Sequence, residues 1–183
     1  MEDVFQKLIL MIRAYYPVLY LHSYEYYRTK QKIKGIVELL RREGKKVNYY
    51  QWDCVYGLVQ ILPDKTEKRI ERMQNPLEVL AYILNSKKSG EKNIFVLDDI
   101  NNHIDRDEVK LMFRKIAEAT NNNTHAIILS SIYRLPAELE KYITVLQIPL
   151  PKRNELGEVL DIVAKQSKVE LKTNLRNRLI DAA

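Results

Sequence analysis

Short apolar runs alternate with helix-period segments along nearly the whole chain, and this alternation constrains the fold more than any other feature of the sequence. Val18-Leu19-Tyr20-Leu21 is a continuous apolar run, too short for a helix and long enough for a strand buried on both faces. Val47-Asn48-Tyr49-Tyr50-Gln51-Trp52 reads as an aromatic strand, Ile94 to Leu97 and Ala126 to Leu129 as further apolar strands, and Ile143 to Ile148 as a fifth strand. Between them the period changes. Val4, Leu8, Met11, Ile12 and Tyr15 fall at helical spacing before Pro17, and Ile33, Ile36, Val37 and Leu40 mark a helix over 25–43 that Gly44 ends. Asn75-Pro76 forms an N-cap and first-turn pair ahead of Leu77, Leu80, Ala81 and Leu84. Val109, Met112, Phe113 and Ile116 line a further helix, and 136–141 a short one. The polar stretch 63–69 reads as a loop.

Such a pattern predicts an α/β fold with a five-stranded parallel, doubly wound sheet. Pro149-Leu150-Pro151 divides the chain into a core over 1–149 and a partial helical lid over 150–183. The lid begins with a helix around Leu156, Val159, Leu160 and Val163 and continues with another from Leu175. An amphipathic pattern that runs to Ala183 without a C-cap signal reads as a fragment of a longer protein.

Glycine then narrows the chemistry. The chain has five glycines in 183 residues, and the closest two, Gly35 and Gly44, stand nine apart. A phosphate loop of the form GxxxxGK[ST] and a GxGxxG dinucleotide turn both need closer spacing, so neither occurs in this sequence. The single cysteine, Cys54, cannot form an internal disulfide and reads as a small buried or half-buried residue; His22, His103 and His125 lack zinc-ligand spacing. Glu2 and Asp3 precede the first apolar run, where a secretory signal would want basic residues, and no apolar stretch is long enough for a membrane span. A reducing cytoplasm is the expected compartment.

The net charge of +6 is local. Residues 28–46 hold eight lysines and arginines against Glu38 and Glu43, so this segment carries the whole excess. A nucleic-acid-binding module using that basic helix is the alternative function class. Around a helix, however, Lys30, Lys34 and Arg41 fall beside the apolar stripe while Arg28, Lys32 and Arg42 fall opposite it. The charges therefore spread around the surface, which reads as a solvated face, and nucleic acid is not the expected partner.

In a doubly wound sheet, ligands bind at the carboxyl ends of the strands. The first strand ends in Ser23, Tyr24 and Glu25, followed by Tyr26 and Tyr27, bulky side chains where a phosphate would need bare, glycine-supported amides. Lys30 reads here as a solvated charge. The third strand ends in Asp98-Asp99, shaped like a Walker B segment, in which a carboxylate serves magnesium and a second acidic residue orients the attacking water. The fourth ends in Ser130, where a nucleoside triphosphatase places a polar sensor. Without a phosphate loop, a capping or ion-pairing role for Asp98 and Asp99 is the expectation. A phosphoacceptor receiver fold fails, because its acidic pair belongs after the first strand and its lysine after the last. Tyr15, Tyr20 and Tyr49 read as core or sheet residues.

Six stretches in order carry a family resemblance. They are Ile12-Arg13-Ala14 with Tyr16-Pro17; Tyr20-Leu21 with Ser23-Tyr24-Glu25; Trp52 with Gly57-Leu58; Phe95-Val96-Leu97 with Asp98-Asp99; Leu135-Pro136 with Glu138-Leu139-Glu140-Lys141; and Pro149-Leu150-Pro151 with Glu155-Leu156. The chain resembles the degenerate N-terminal module of a bacterial and chloroplast family of two-module AAA ATPases, known from a conserved reading frame of algal plastid genomes. The resemblance implies a P-loop-NTPase-like core without its phosphate loop. It implies that ATP and magnesium belong to a second, C-terminal module, and that the partners are that module, other ring subunits and a protein client. No catalytic or metal-binding residue is carried over. Ser23, Tyr24, Glu25, Asp98, Asp99 and Ser130 are expected only as degenerate remnants of the nucleotide site.

Overall fold

The computed structural model describes residues 4–70, 73–86, 91–119, 123–167, 169 and 173–182, so Glu2, Asp3, Gly90, Ala183 and the side chain of Val159 lie outside the described residues. The chain divides into two compact units, 1–148 and 149–183.

The first unit is built on strands β1 (Val18–His22), β2 (Val47–Asp53), β3 (Gly57–Ile61), β4 (Glu67–Arg69), β5 (Lys92–Asp98), β6 (Thr124–Ser130) and β7 (Thr144–Gln147). Their order in the sheet is β4-β3-β2-β5-β6-β1-β7. The five strands read from the sequence run parallel, whereas β3 and β4 pair antiparallel beyond β2. The sheet is therefore mixed and seven-stranded, not five-stranded and all-parallel. Strand β4 consists of Glu67-Lys68-Arg69, all exposed, so it forms an outer edge without any apolar signal and corrects the expectation of a continuous loop over 63–69.

Alternate residues of each central strand face opposite layers. Leu19, Leu21, Tyr49, Ile94, Val96, Ile127 and Leu129 pack with Leu8 and Ile12 of α1 (Val4–Arg13) and with Ile33, Val37 and Leu40 of α2 (Tyr26–Arg42). Tyr20, Trp52, Phe95, Leu97 and Ile128 pack with Val79, Leu80 and Ile83 of α3 (Pro76–Ser86) and Val109, Phe113 and Ile116 of α4 (Asp107–Glu118). This three-layer arrangement explains the unbroken apolar runs: with helices on both faces, neither parity of a strand can be polar.

Local signals fix the helix ends. The Asn75 side chain accepts the Leu77 N–H at 3.0 Å, capping α3. Gly44, at φ +80°, takes the left-handed position just after α2, which a Cβ would strain. Helix α1 ends before Pro17, where Tyr15 at φ 63° turns the chain. Tyr15 is half exposed and Cys54 is exposed, so neither is the buried residue the sequence suggested. The predicted helix over 136–141 is a single 3-10 turn, Ala137–Leu139.

The second unit contains α5 (Arg153–Gln166) and α6 (Thr173–Asp181). The guanidinium of Arg176 grips both carboxylate oxygens of Asp161 at 2.7 Å, and Arg153 pairs with Asp181.

Candidate functional site

The carboxyl ends of β1, β5 and β6 lie side by side, because β6 stands between β5 and β1 in the sheet. All three stretches singled out in the sequence therefore meet at one edge. His22 is in register with Ser130, and Asp98 with Leu129.

Only three residues, Ser23, Tyr24 and Glu25, separate β1 from α2. The turn is closed from within. Ser23 is buried, its hydroxyl lies 2.8 Å from that of Thr29, and it accepts the Glu25 N–H at 3.1 Å. Glu25 stands immediately before the helix and pairs with Arg28 at 2.8 Å. Tyr24 is exposed, with its ring against His22.

Asp99 adopts φ 52°, a left-handed conformation that turns the chain sharply at the end of β5. Its Oδ1 accepts two hydroxyl hydrogen bonds, from Tyr26 at 2.5 Å and from Ser130 at 2.7 Å. Both hydroxyls are held in turn: Tyr26 accepts the Ser131 N–H at 2.9 Å, and Ser130 accepts the Ile132 N–H at 3.2 Å. Burial and the Asp99 carboxylate raise the Tyr26 phenol above its ordinary range, so Tyr26 stays a donor at neutral pH. Tyr20 secures the same post-β6 segment by donating to the Ile132 carbonyl at 2.6 Å.

Asp98 has a different partner. The ammonium of Lys30, one turn into α2, pairs with its Oδ2, while Oδ1 is buried without a hydrogen-bond partner among the described residues. Burial raises the Asp98 carboxyl above the usual carboxylate range; Lys30 opposes that shift, and Asp53 and Asp99 reinforce it. Lys30 is thus not the solvated charge that the sequence suggested. Tyr26, which the sequence offered only as bulk, is the hinge of the Asp99 network. No local signal marked either contact, since the partners stand 68 and 73 residues apart.

As chemistry, the edge presents two carboxylates engaged by an ammonium and two hydroxyls from the same chain, with one Asp98 oxygen left unpartnered among the described residues. Among the described residues no group of three or more histidines, cysteines and carboxylates is disposed to hold a metal ion. No helix of the described residues is long and apolar enough to cross a membrane.

A family model described as the N-terminal domain of SpoVK-like AAA ATPases matches residues 4–148. The uncharacterized AAA domain-containing protein ycf46 of Guillardia theta is 26% identical over 176 residues, covering 95% of this chain and 33% of that relative. The chain spans about a third of the length of the curated relatives it matches. Among solved structures, a point variant of RuvB from Thermotoga maritima superposes with a TM-score of 0.55 at 16% identity, over 97% of this chain and 54% of that one. AMPPCP-bound DnaA from Aquifex aeolicus gives 0.57 at 12%, over 97% and 55%. At these identities the two structures speak for the fold.

Proposed function

The chain belongs to the family of SpoVK-like AAA ATPase N-terminal domains, and from that membership we propose that it is a non-catalytic AAA module of a longer ATP-dependent protein. ATP, with magnesium, is bound and hydrolysed in a second module C-terminal to this one. The present module packs against that module and against other subunits of a ring, and offers a surface to a protein client. A reducing compartment, cytoplasm or plastid stroma, suits an exposed thiol such as Cys54.

The observation that carries this reading is the capture of the acidic pair by the chain's own donors. In a phosphoryl-transfer site such carboxylates serve magnesium and the attacking water. Here Lys30 engages Asp98, and Tyr26 and Ser130 engage Asp99. The start of α2, where a helix dipole would receive phosphate, carries instead the Glu25 carboxylate paired with Arg28. These residues do not fit a magnesium nucleotide, and no step of hydrolysis is assigned to them.

The nucleic-acid reading draws less support. Arg28 is paired with Glu25, Lys30 with Asp98 and Lys45 with Glu43, while Arg41 donates to the Val47 carbonyl at 3.0 Å. Four of the eight cations of 28–46 thus serve separate neighbours, which counts against a single row along the helix for a nucleic-acid backbone.

Asp98→Asn in the longer protein tests the proposal. The expected ATPase rate stays within a few-fold of wild type, with unfolding followed in parallel to exclude loss of the fold. A drop of about a thousand-fold, the scale of losing an essential catalytic group, would contradict it.

A further inference from the structure

The opposite edge of the sheet, at the amino ends of its parallel strands, holds a buried lysine whose ammonium makes no ion pair among the described residues. Lys92 opens β5 in register with Val47 and is 8% exposed. Its ammonium lies 3.0 Å from His125 Nε2 and 3.4 Å from the Ile12 carbonyl, and 5.0 Å from the centre of the Tyr15 ring. His125 is wholly buried, and its Nδ1 lies 2.7 Å from the Tyr16 carbonyl. A carbonyl only accepts, so Nδ1 carries the ring proton and Nε2 is left to accept from Lys92. The contacts of the ammonium are therefore neutral. Buried cations are normally paired, because a desolvated charge without a counter-charge is costly.

Lys92 also lines a pocket of about 250 Å³ with Arg13, Tyr15, Lys45, Lys46, Glu91 and Asn123. Four of these seven residues are cations and one is a carboxylate. Glu43 is divided between Arg13 at 2.5 Å and Lys45 at 3.8 Å, and Lys46 has no ion-pair partner among the described residues. Tyr15 reaches its place over Lys92 from a left-handed φ of 63°, a conformation unfavourable for a bulky residue. Positive charge is thus concentrated, partly desolvated and under-compensated in a concave site.

We infer that this pocket binds a small phosphate-class oxyanion, with Lys92, Arg13, Lys45 and Lys46 as its cationic ligands. Its volume suits an anion the size of pyrophosphate or a small sugar phosphate, and the anion supplies the counter-charge that the fold withholds from Lys92. The site is separate from the Asp98–Asp99 edge and does not depend on how that edge is read.

Protonation follows from the same geometry. Burial, aided by Lys45, lowers Lys92 to about 8. The groups around it are Arg13, Tyr15 and the Tyr16 carbonyl from the end of α1, Glu43, Lys45 and Lys46 from the turn before β2, Glu91 on its own segment and His125 from β6. A bound oxyanion favours the charged ammonium and raises Lys92, so binding takes up a proton at and above pH 8 and weakens as the solution becomes more alkaline.

Titration of the 183-residue chain with sulfate and pyrophosphate, followed by backbone amide NMR, tests the site; sulfate has no protonation step of its own in this pH range. Saturable shifts are expected at residues 13–15 and 45–46, with sulfate affinity falling about fivefold or more between pH ~7 and ~9.5. Lys92→Met should weaken binding about tenfold and flatten the pH profile. Lys46→Gln, at an exposed position and so safe for folding, should weaken binding several-fold and keep the profile. If Lys92→Met fails to fold, the wild-type profile and Lys46→Gln decide. Three results would each overturn the inference: no shifts at these residues with either anion at tens of millimolar, binding insensitive to both substitutions, or a generic oligonucleotide binding the same residues more tightly than pyrophosphate.

Discussion

Lys30 and Asp98 meet across 68 residues of sequence in a pair whose side chains are 22% and 16% exposed. Replacing Lys30 with methionine keeps the length of the stem and removes the charge, leaving Asp98 with one oxygen already unpartnered and no cation. Burial then raises the Asp98 carboxyl further, since Lys30 is the main group opposing the shift. A carboxyl raised in the folded state binds its proton more tightly there than in the unfolded chain. The stability cost is therefore absent below the unfolded pKa and grows as pH rises through the folded one. Lys30→Met is expected to lose about 1–3 kcal/mol at neutral pH, to recover much of that near pH ~4, and to be rescued at neutral pH by adding Asp98→Asn. Urea unfolding at the two pH values measures it, and a Lys30→Met loss that is independent of pH would contradict the account. At this scale the sequence was half legible. Asp98, Asp99 and Ser130 stood out because each follows an apolar strand, and strand ends are where a doubly wound sheet gathers polar groups. Their partners did not stand out: Lys30 sits among seven other cations in 28–46, and Tyr26 beside two other tyrosines, with nothing local to mark which side chain turns inward.

Among the secondary-structure elements, legibility followed burial. Strands β1, β5 and β6 carry unbroken apolar stretches because helices cover both their faces, and they could be read directly. Strand β3 is half-buried, and β4 is a charged edge fixed only by pairing with β3, so neither leaves the same trace. Two glycines separate local from tertiary demands. At Gly57, φ is +75° and a Cβ would stand 3.2 Å from the backbone carbonyl of Met73. Gly57→Ala is expected to cost about 1–3 kcal/mol. Gly35, inside α2, has nothing within 4 Å of where a Cβ would stand. There the substitution only restores helix propensity, and Gly35→Ala is expected to stabilise by about 0.5–1 kcal/mol. Opposite signs in thermal unfolding check both; a stabilising Gly57→Ala would mean that the β2–β3 turn is not held as described.

At the scale of the whole molecule, the chain provides one α/β unit and one helical unit, and the matched family places the first among AAA ATPase N-terminal domains. The division near Pro149 was visible because two prolines in three residues interrupt both kinds of periodicity. The nucleotide question was visible too, as an arithmetic of glycines, yet the sequence alone could not say what fills the carboxyl edge of the sheet. A three-residue turn, a carboxylate ahead of α2 and an acidic pair engaged by Lys30, Tyr26 and Ser130 fill it. Isothermal titration of the 183-residue chain with ATP and magnesium tests that reading most directly. The account expects no binding tighter than about 10⁻⁴ M and no hydrolysis. A micromolar dissociation constant that is lost on Asp98→Asn would contradict it.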